Sequence, residues 1–480
     1  MSRQTTSYYW HDYETWGAEP ARDRAAQFAG LRTDLDFNPI GKPLVMYARP
    51  ADDFLPQPGA CMVTGISPQK AWQEGMPEAD FFRFIHDEMS VPGTCSLGYN
   101  TLRFDDEVTR YGLYRNFYDP YEREWKNGNS RWDMIDVVRL TRALRPEGIN
   151  WPQKEDGVTS FRLEDLTAAN DIEHAGAHDA LVDVTATIAL AKLIKQAQPK
   201  LFDFVFNNRN KQAVGNLLNV RGERPVLHVS ARYPARLGCI ASILPLAMHP
   251  TNRNGVIVYD LRQDPSDLLT LSAEQIRERL YTRSEDLPEG VERIAIKQVH
   301  INKAPVVVPL NTLTPEAREQ WQMDEATEQK HLAALLAARP QLQAKLAEVF
   351  SDNPFPPQTD PDRDLYGAFL SDGDKRLCER VRATEPESLG ELHLTFDAPK
   401  MHELLFRYRA RNWPELLSKA ERERWDEYRL MRLREEAGGA SIVLDQYRKE
   451  LSRLAVDASL DAHRRQVVDE LIDWPTRLGL

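Results

Sequence analysis

Cysteine is scarce in this sequence. Its 480 residues contain only four, Cys61, Cys95, Cys239 and Cys378. The four lie far apart and form no CxxC pair, and no histidine stands at zinc-site spacing from any of them. Neither a disulfide framework nor a structural zinc site is therefore expected.

Long hydrophobic runs are also missing. No stretch of 18 apolar residues occurs, so no transmembrane helix is expected. The first six residues lead into a polar and aromatic segment rather than the apolar centre of a signal peptide. These two absences together predict a cytoplasmic protein.

Positively charged residues are outnumbered: the sequence has 61 Lys and Arg and 73 Asp and Glu, which gives a net charge of −12. This balance argues against a surface coated with positive charge for nucleic acid. It does not exclude a local basic channel, since phosphate binding depends on where the charges lie. Residues 199–240 are the exception, with seven Lys or Arg and two acidic residues. We expect them to contact a phosphate backbone; the alternative is an ordinary solvated surface.

The chain is too long for one typical core, and its segments differ in pattern. Residues 1–198 alternate strand and helix signals, which predicts an α/β domain with a mixed sheet. Residues 199–352 carry short strand-like runs punctuated by Gly, Pro and Asn, which predicts a β domain with inserted helices. The Pro-rich segment 351–357 predicts a linker, and residues 355–480 predict an all-α domain.

The individual elements follow from hydrophobic periodicity. Predicted strands of the first domain are Tyr8–Tyr13, Leu44–Ala48 and Cys95–Tyr99, and its predicted helices are Glu78–Met89, Asp105–Tyr114, Arg131–Leu144 and Asp179–Gln198. Predicted strands of the second domain are Val226–Ser230, Gly255–Leu261, Ile294–Ile301 and Val306–Leu310. Thr314 followed by Pro315 is typical of a helix N-cap and first turn.

Two carboxylates, Asp12 and Glu14, lie two positions apart in the first predicted strand. Residues at i and i+2 of a strand point to the same face. Two negative charges on one face of an aromatic strand are costly to bury without a cation. A hard divalent cation such as Mg²⁺ prefers oxygen ligands. The pair therefore predicts a metal site, the alternative being a solvent-exposed pair at a strand end.

Two further acidic clusters follow in the sequence. Asp105 begins a predicted helix just after the third strand, and His178 precedes Asp183 at the start of another helix. Each has an ordinary explanation, as a helix cap or a surface histidine. Asp106 points about 100° away from Asp105 on a helix, so we leave it out of the site. Asp179, next to His178, is expected to be a helix cap.

The order of these motifs, D-x-E, then N-x-x-x-F-D, then H-x(4)-D, resembles the signature of the DEDDh 3′→5′ exonucleases. Longer phrases resemble the bacterial exodeoxyribonuclease I family, which is specific for single strands. They are HDYET (11–15), GYN (98–100), FDDEVTR (104–110), YRNFYDPY (114–121), LRPEGINWP (144–152), VHINK (299–303) and YRARN (408–412).

The resemblance implies an RNase H-like exonuclease domain at 1–198, an SH3-like domain with inserted helices at 199–352 and a helical C-terminal domain at 355–480. It also implies a monomer with a groove too narrow for duplex. The implied reaction is hydrolysis of the 3′-terminal phosphodiester of single-stranded DNA, which releases 5′-mononucleotides. DNA repair and recombination are the implied processes.

The resemblance also assigns roles to the five acidic and histidine residues. Two Mg²⁺ ions, with Mn²⁺ as an alternative, would clamp the scissile phosphate. Asp12 would bridge them, Glu14 and Asp183 would complete the first metal site, and Asp105 would serve the second. His178 would be the general base, because histidine ordinarily titrates near neutral pH.

Contacts with substrate and partner are implied as well. Glu14, Thr15 and Ile66 would lie beside the 3′ nucleotide, although the alternative for Ile66 is core packing. Arg162 is a candidate for a phosphate contact. Arg145 matches a position in the basic groove with which the family docks the acidic C-terminal tail of single-stranded DNA-binding protein.

Two other functions stay open at this point. One is a 3′→5′ exoribonuclease of the same superfamily, although those enzymes are typically short chains and here some 280 residues follow the first domain. The other is a strand-binding module without activity, which would predict a broken set of metal ligands. All five positions are present.

Overall fold

The computed structural model describes residues 5–176, 178–351 and 357–480. The chain divides into two compact units. The first comprises Met1–Arg131, His174–Ile188 and Pro356–Leu480, and the second comprises Trp132–Glu173 and Ala189–Phe355. The predicted linker at 351–357 lies outside the described residues except at its two ends.

Strands and helices are numbered here in chain order. The strands are β1 (Ser7–Thr15), β2 (Ala25–Thr33), β3 (Leu44–Tyr47), β4 (Thr94–Leu97), β5 (Ser130–Arg131), β6 (Val226–Val229), β7 (Ile240–Met248), β8 (Gly255–Asp260), β9 (Ile296–His300) and β10 (Val307–Pro309). The α-helices are α1 (Pro58–Thr64), α2 (Pro68–Glu74), α3 (Glu78–Met89), α4 (Asp105–Arg115), α5 (Met134–Leu144), α6 (Leu163–Ala169), α7 (Ala180–Ala197), α8 (Pro199–Asn207), α9 (Lys211–Leu217), α10 (Ser266–Thr270), α11 (Ala273–Tyr281), α12 (Pro315–Gln320), α13 (Glu325–Ala337), α14 (Arg339–Val349), α15 (Asp372–Ala383), α16 (Lys400–Asn412), α17 (Lys419–Arg434), α18 (Leu444–Ala455) and α19 (Ala462–Arg477).

The first unit is built on a mixed sheet in the order β3-β2-β1-β4-β5. Strand β1 is central, antiparallel to β2 and parallel to β4. Its sequence, SYYWHDYET, is rich in the aromatic residues that favour strands. The predicted mixed sheet is confirmed, with the site-bearing strand at its centre.

Helix α3 shows how this sheet is covered. It begins with acidic residues in its first turn and buries Phe81, Phe82, Ile85 and Met89 on one face. These residues join a core cluster with Tyr9 and other residues of the sheet. Its predicted bounds are confirmed at both ends.

The C-terminal helices belong to the first unit, where buried ion pairs join them to an early loop. Asp53 is fully buried, and its Oδ2 accepts from the Arg411 guanidinium of α16 at 2.8 Å. Arg411 also donates to Asp362 at 2.6 Å, and Arg407 does so at 2.8 Å. This group of Asp53, Asp362, Arg407 and Arg411 is called the buried ion-pair network below.

The second unit contains an antiparallel sheet in the order β10-β6-β7-β8-β9. One of its faces packs with Val214 and Leu218, in and just after α9. The other face packs with residues of α11, α13 and α14, including Leu335 and Leu346. The predicted β domain with inserted helices is confirmed, and Thr314 caps α12 by accepting from the Ala317 N–H at 3.2 Å.

One predicted helix differs from the structure at its start. The helix expected at Arg131–Leu144 begins at Met134, because Arg131 ends β5 and Asp133 caps the helix by accepting from the Ile135 N–H at 3.0 Å. Strands β2 and β7 were not predicted.

Within the described ranges, no helix is long and apolar enough to cross a membrane.

Candidate active site

Asp12 and Glu14 lie on β1, at the centre of the sheet. Asp12 stands opposite Ala29 and Glu14 opposite Gln27, and the pairing of β1 with β2 shifts register just after Glu14. Glu14 is only 8% exposed and Asp12 is half-buried. The alternative of an exposed pair at a strand end is therefore wrong for Glu14.

Asp105 is held against β1 by the backbone. The Tyr13 N–H donates to Asp105 Oδ1 at 3.1 Å, so this carboxylate joins β1 between Asp12 and Glu14. The Thr109 hydroxyl lies 2.9 Å from Tyr13 Oη and donates to the Asp105 carbonyl at 2.8 Å. These bonds tie the first turn of α4 to the strand that carries the other two carboxylates.

The third motif begins helix α7. His178 adopts the left-handed conformation with φ 72° and is exposed. One ligand atom each of Glu14, His178 and Asp183 lies within 4.8 Å of the others. Residues from two distant parts of the sequence therefore converge, as the resemblance of the ordered motifs implies.

Gln27 fixes the start of α7 and was not found from the sequence. It is buried on β2, its Oε1 accepts from the Ala180 N–H at 3.3 Å, and its Nε2 donates to Tyr47 Oη at 3.1 Å. Its Nε2 also donates to Asp179 Oδ2 at 3.4 Å. Asp179 accepts from the Leu181 N–H at 3.1 Å, as expected for a helix cap.

The site is dominated by negative charge. Burial, together with the charges of Asp105, Glu14 and Asp183, raises the pKa of Asp12 well above its ordinary value. Burial and the charges of Asp183 and Asp105 raise the pKa of Glu14 to about 9. A cation would relieve this repulsion, and a set made mainly of carboxylate oxygens suits a hard divalent metal. The residues present therefore fit the metal that the motifs predict.

Asp106 is engaged elsewhere, as expected. It is buried, and its two oxygens accept from Arg123 at 2.6 Å and from Arg131 at 2.7 Å. Burial acts to raise its pKa, but Arg131 and Arg123 outweigh it and hold the pKa below the ordinary value. Asp106 is thus a structural neighbour of the site residue Asp105.

The predicted substrate and partner residues lie in different surroundings. The half-buried Thr15 donates to the Gly17 carbonyl at 2.7 Å, and Ile66 is 3% exposed within a core cluster that includes Trp16. In the second unit, Arg162 is exposed and ion-paired with Glu164. Also there, the half-buried Arg145 donates to the Thr312 carbonyl at 3.2 Å. Core packing is thus what the structure shows for Ile66.

The basic segment 199–240 lies in the second unit and presents most of its charge to solvent. Arg209 is half-buried, and its guanidinium lies 3.7 Å from the centre of the Phe206 ring. The other six cationic side chains are exposed: Lys200, Lys211, Arg221, Arg224, Arg232 and Arg236. Exposure is compatible with phosphate binding and equally with a solvated surface.

His174 is the second site residue that the sequence did not reveal. Its Nε2 lies 2.6 Å from Asp183 Oδ1. The available signal was weak: His174 falls in the same short loop as His178, in the run EHAGAHD. Gln27 offered a comparable signal, as a polar residue in an otherwise apolar stretch.

Family models match the chain in three successive segments. Residues 9–191 match the model described as exonuclease, residues 209–352 match the exonuclease I SH3-like domain, and residues 359–478 match the exonuclease I C-terminal domain. These matches confirm the three kinds of fold expected from the sequence.

Individual proteins match over nearly the whole length. Exodeoxyribonuclease I of Escherichia coli K12 is 47% identical, with 97% of this chain and 99% of that protein covered. Exonuclease I from Methylocaldum szegediense matches in structure with a TM-score of 0.95 and 50% identity, covering 98% of this chain and 99% of that one.

Two further matching structures include ligands or a partner protein. The zinc-bound form of the E. coli exonuclease I complex with single-stranded DNA has a TM-score of 0.94 and 46% identity, and covers 99% of this chain and 100% of that one. A structure of SSB/exonuclease I in complex with an inhibitor has a TM-score of 0.91 and 45% identity, with the same coverage.

Proposed function

Because the chain belongs to the exodeoxyribonuclease I family, we propose that it is a 3′→5′ exonuclease that degrades single-stranded DNA to 5′-mononucleotides. The observation that carries this proposal is the convergence of Glu14, His178 and Asp183 beside Asp12 in one unit. The related E. coli enzyme forms a complex with single-stranded DNA, which supports the choice of substrate.

The proposed site holds divalent metal through Asp12, Glu14, Asp105 and Asp183. Two Mg²⁺ ions are the proposed cofactor and Mn²⁺ the alternative; bound metal would lower the pKa of water and stabilise charge on the phosphate. The zinc-bound relative supports a metal here without identifying which one. Asp12 would contribute to both ions and Asp105 to the second.

His178 is the proposed general base, which accepts the proton of the attacking water. It is exposed in the left-handed conformation beside Glu14 and Asp183, so the imidazole has access to solvent. Loss of a general base typically lowers a rate about 10²- to 10⁴-fold. His178→Ala should lower the turnover rate within this range while divalent metal binding is largely kept; unchanged turnover would remove His178 from this role.

Thr15 and Glu14 are the proposed contacts to the 3′ nucleotide, and Arg162 a proposed phosphate contact. Because the Ile66 side chain is buried, we propose that it packs behind the residues that contact that nucleotide. The exposed cations of 199–240 are proposed to contact the backbone of the strand.

A second proposal concerns the partner. The SSB/exonuclease I structure of a relative supports a partner of this kind. We propose, from the resemblance, that the acidic tail of single-stranded DNA-binding protein docks on a groove that includes Arg145. Arg145→Ala should weaken binding of a fluorescent peptide with that acidic tail, whereas Arg162→Ala, at an exposed arginine of the same unit, should not. Equal affinity of the Arg145→Ala and unaltered proteins would contradict this role.

The domain limits 1–198, 199–352 and 355–480 stay proposals, as do a monomer, a cytoplasmic location and a role in DNA repair and recombination. The family models begin and end close to these limits. The compact units divide the chain differently: most of the first segment is grouped with the third, whereas Trp132–Glu173 and the residues of the first segment from Ala189 onward are grouped with the second.

The decisive experiment uses 5′-labelled single-stranded DNA and an RNA of equal sequence, each with Mg²⁺ or with EDTA. We expect a ladder of products shortened from the 3′ end, on DNA and only with metal. RNA decay as fast as DNA decay would instead favour an exoribonuclease. Shortening that persists in Asp12→Ala would contradict the proposed site.

A further inference from the structure

The second histidine of the α6–α7 loop makes a direct contact with the site. His174 Nε2 lies 2.6 Å from Asp183 Oδ1, and the two side chains are 7% and 19% exposed. This contact is short and largely shielded from water. It is therefore a stronger restraint on Asp183 than a surface pair would be.

The direction of the hydrogen bond follows from the role proposed for Asp183. A carboxylate that binds metal is ionised and only accepts, so His174 donates to it from Nε2. A nitrogen that carries a proton has no lone pair in the ring plane for a metal. His174 thus contacts the site through Asp183 rather than as a ligand at this nitrogen.

The two histidines of the loop are arranged differently. Among the described residues, the group whose ligand atoms converge within 4.8 Å contains His178 but not His174. His178 is exposed, whereas the His174 side chain is nearly covered. One is placed to face a reacting molecule and the other to hold a neighbouring side chain.

We propose that His174 is a positioning residue that holds the Asp183 carboxylate in one orientation as a metal ligand. This inference rests on the proposed function, since it assumes that Asp183 binds metal. A fixed carboxylate loses less freedom when the cation binds, so the hydrogen bond increases metal affinity. Partners of this kind typically change metal affinity or activity about 10- to 100-fold when removed.

The test is a titration of metal-free protein with Mn²⁺ in the absence of DNA. Binding is monitored through the electron paramagnetic resonance signal of free Mn²⁺. His174→Phe keeps an aromatic ring and removes the donor, and we expect its Mn²⁺ affinity to fall about 10- to 100-fold. His174→Gln can still donate from a similar position and should recover most of the affinity. If the His174→Phe variant does not fold, His174→Ala is used instead.

The matched control is His86→Ala. His86, in α3, also lies near an aspartate, with Nδ1 3.4 Å from Asp87 Oδ1, and Asp87 is not one of the proposed metal ligands. It should leave Mn²⁺ affinity unchanged. A purely structural role for His174 predicts a lower unfolding temperature of His174→Phe with unchanged Mn²⁺ affinity, and that result would overturn the proposal.

Failure of this inference is distinguishable from failure of the proposed function. If the unaltered protein binds no Mn²⁺ and leaves single-stranded DNA intact, the proposed function itself is wrong. If it binds Mn²⁺ and shortens DNA while His174→Phe binds Mn²⁺ equally well, only the role of His174 is wrong.

Discussion

Asp105 and Asp106 are adjacent in the sequence and both are buried, yet their surroundings differ completely. Asp106 accepts hydrogen bonds from two arginines, and its pKa is held below the ordinary value. Asp105 faces Asp12 and Glu14, and its charge helps to raise the pKa of both. Arginines neutralise Asp106, whereas Asp105 lies close to other carboxylates of the candidate site.

The same contrast holds on a larger scale within the first unit. In the buried ion-pair network, Arg411, together with Arg24 at 3.8 Å from Asp53, outweighs burial and holds the pKa of Asp53 low. In the candidate site, burial and neighbouring carboxylates raise the pKa of Glu14 to about 9. The first group of carboxylates is neutralised by arginine, whereas the repulsion within the second would be relieved by the cation proposed to bind there.

The largest expected difference comes from one isosteric change made at each of the two neighbours. Asp105→Asn should reduce nuclease activity to the EDTA background while the fold persists. Asp106→Asn removes a buried counter-charge that Arg123 and Arg131 share, so the free energy of unfolding should fall by about 3–5 kcal/mol. Nuclease assays and urea unfolding of both variants measure this. Similar losses of activity and of stability in both would erase the distinction.

The ion-pair network offers the next contrast. Asp53→Asn removes one of the two carboxylates paired with Arg411 from a fully buried position, with an expected loss of about 3–5 kcal/mol in the free energy of unfolding. Asp80→Asn is the control, because Asp80 pairs with Arg83 at 3.2 Å on an exposed helix surface. There the expected change is below about 1 kcal/mol. Equal changes would mean that burial does not set the value of these pairs.

Acid should gradually reduce the stability that the arginine-paired aspartates contribute. The pKa values of Asp53, Asp106 and Asp362 are depressed in the folded protein, so their contribution to stability is present above the unfolded-state pKa. It is lost as pH falls through the folded values. The free energy of unfolding, measured in urea with EDTA, should therefore decline below about pH 5, and less steeply in Asp53→Asn. An unchanged slope in that variant would contradict the assignment.

Part of the site was predictable from local pattern, because strand alternation places Asp12 and Glu14 on one face. Asp105, His178 and Asp183 were assigned through the resemblance of the ordered motifs to a known signature. Gln27 and His174 were missed because each acts through a partner distant in sequence or across a loop turn. Their bonds to Ala180 and Asp183 exist only once β2 and the α6–α7 loop are folded.

The elements show the same limit. Helix α3 was predicted to the residue because its apolar face has clear helical spacing. Strand β2 was missed because it contains small residues such as Ala25 and Gly30, whose strand preference is weak. Packing against Tyr9 requires glycine at position 30, since a Cβ there would lie 2.2 Å from the Tyr9 hydroxyl. Tertiary packing, rather than local preference, selects such a strand.

The most direct test of the uncompensated site is urea unfolding of the unaltered protein and of Glu14→Gln, at pH 7.5, with EDTA and with Mg²⁺. Because the folded pKa of Glu14 is raised to about 9, its carboxyl lowers stability at this pH in EDTA, and the glutamine should raise it. Mg²⁺ at 100 times its Kd should stabilise the unaltered protein by about 2.7 kcal/mol, and the variant by clearly less. A Glu14→Gln protein that is less stable in EDTA, yet gains as much from Mg²⁺, would show that Glu14 is a compensated structural charge.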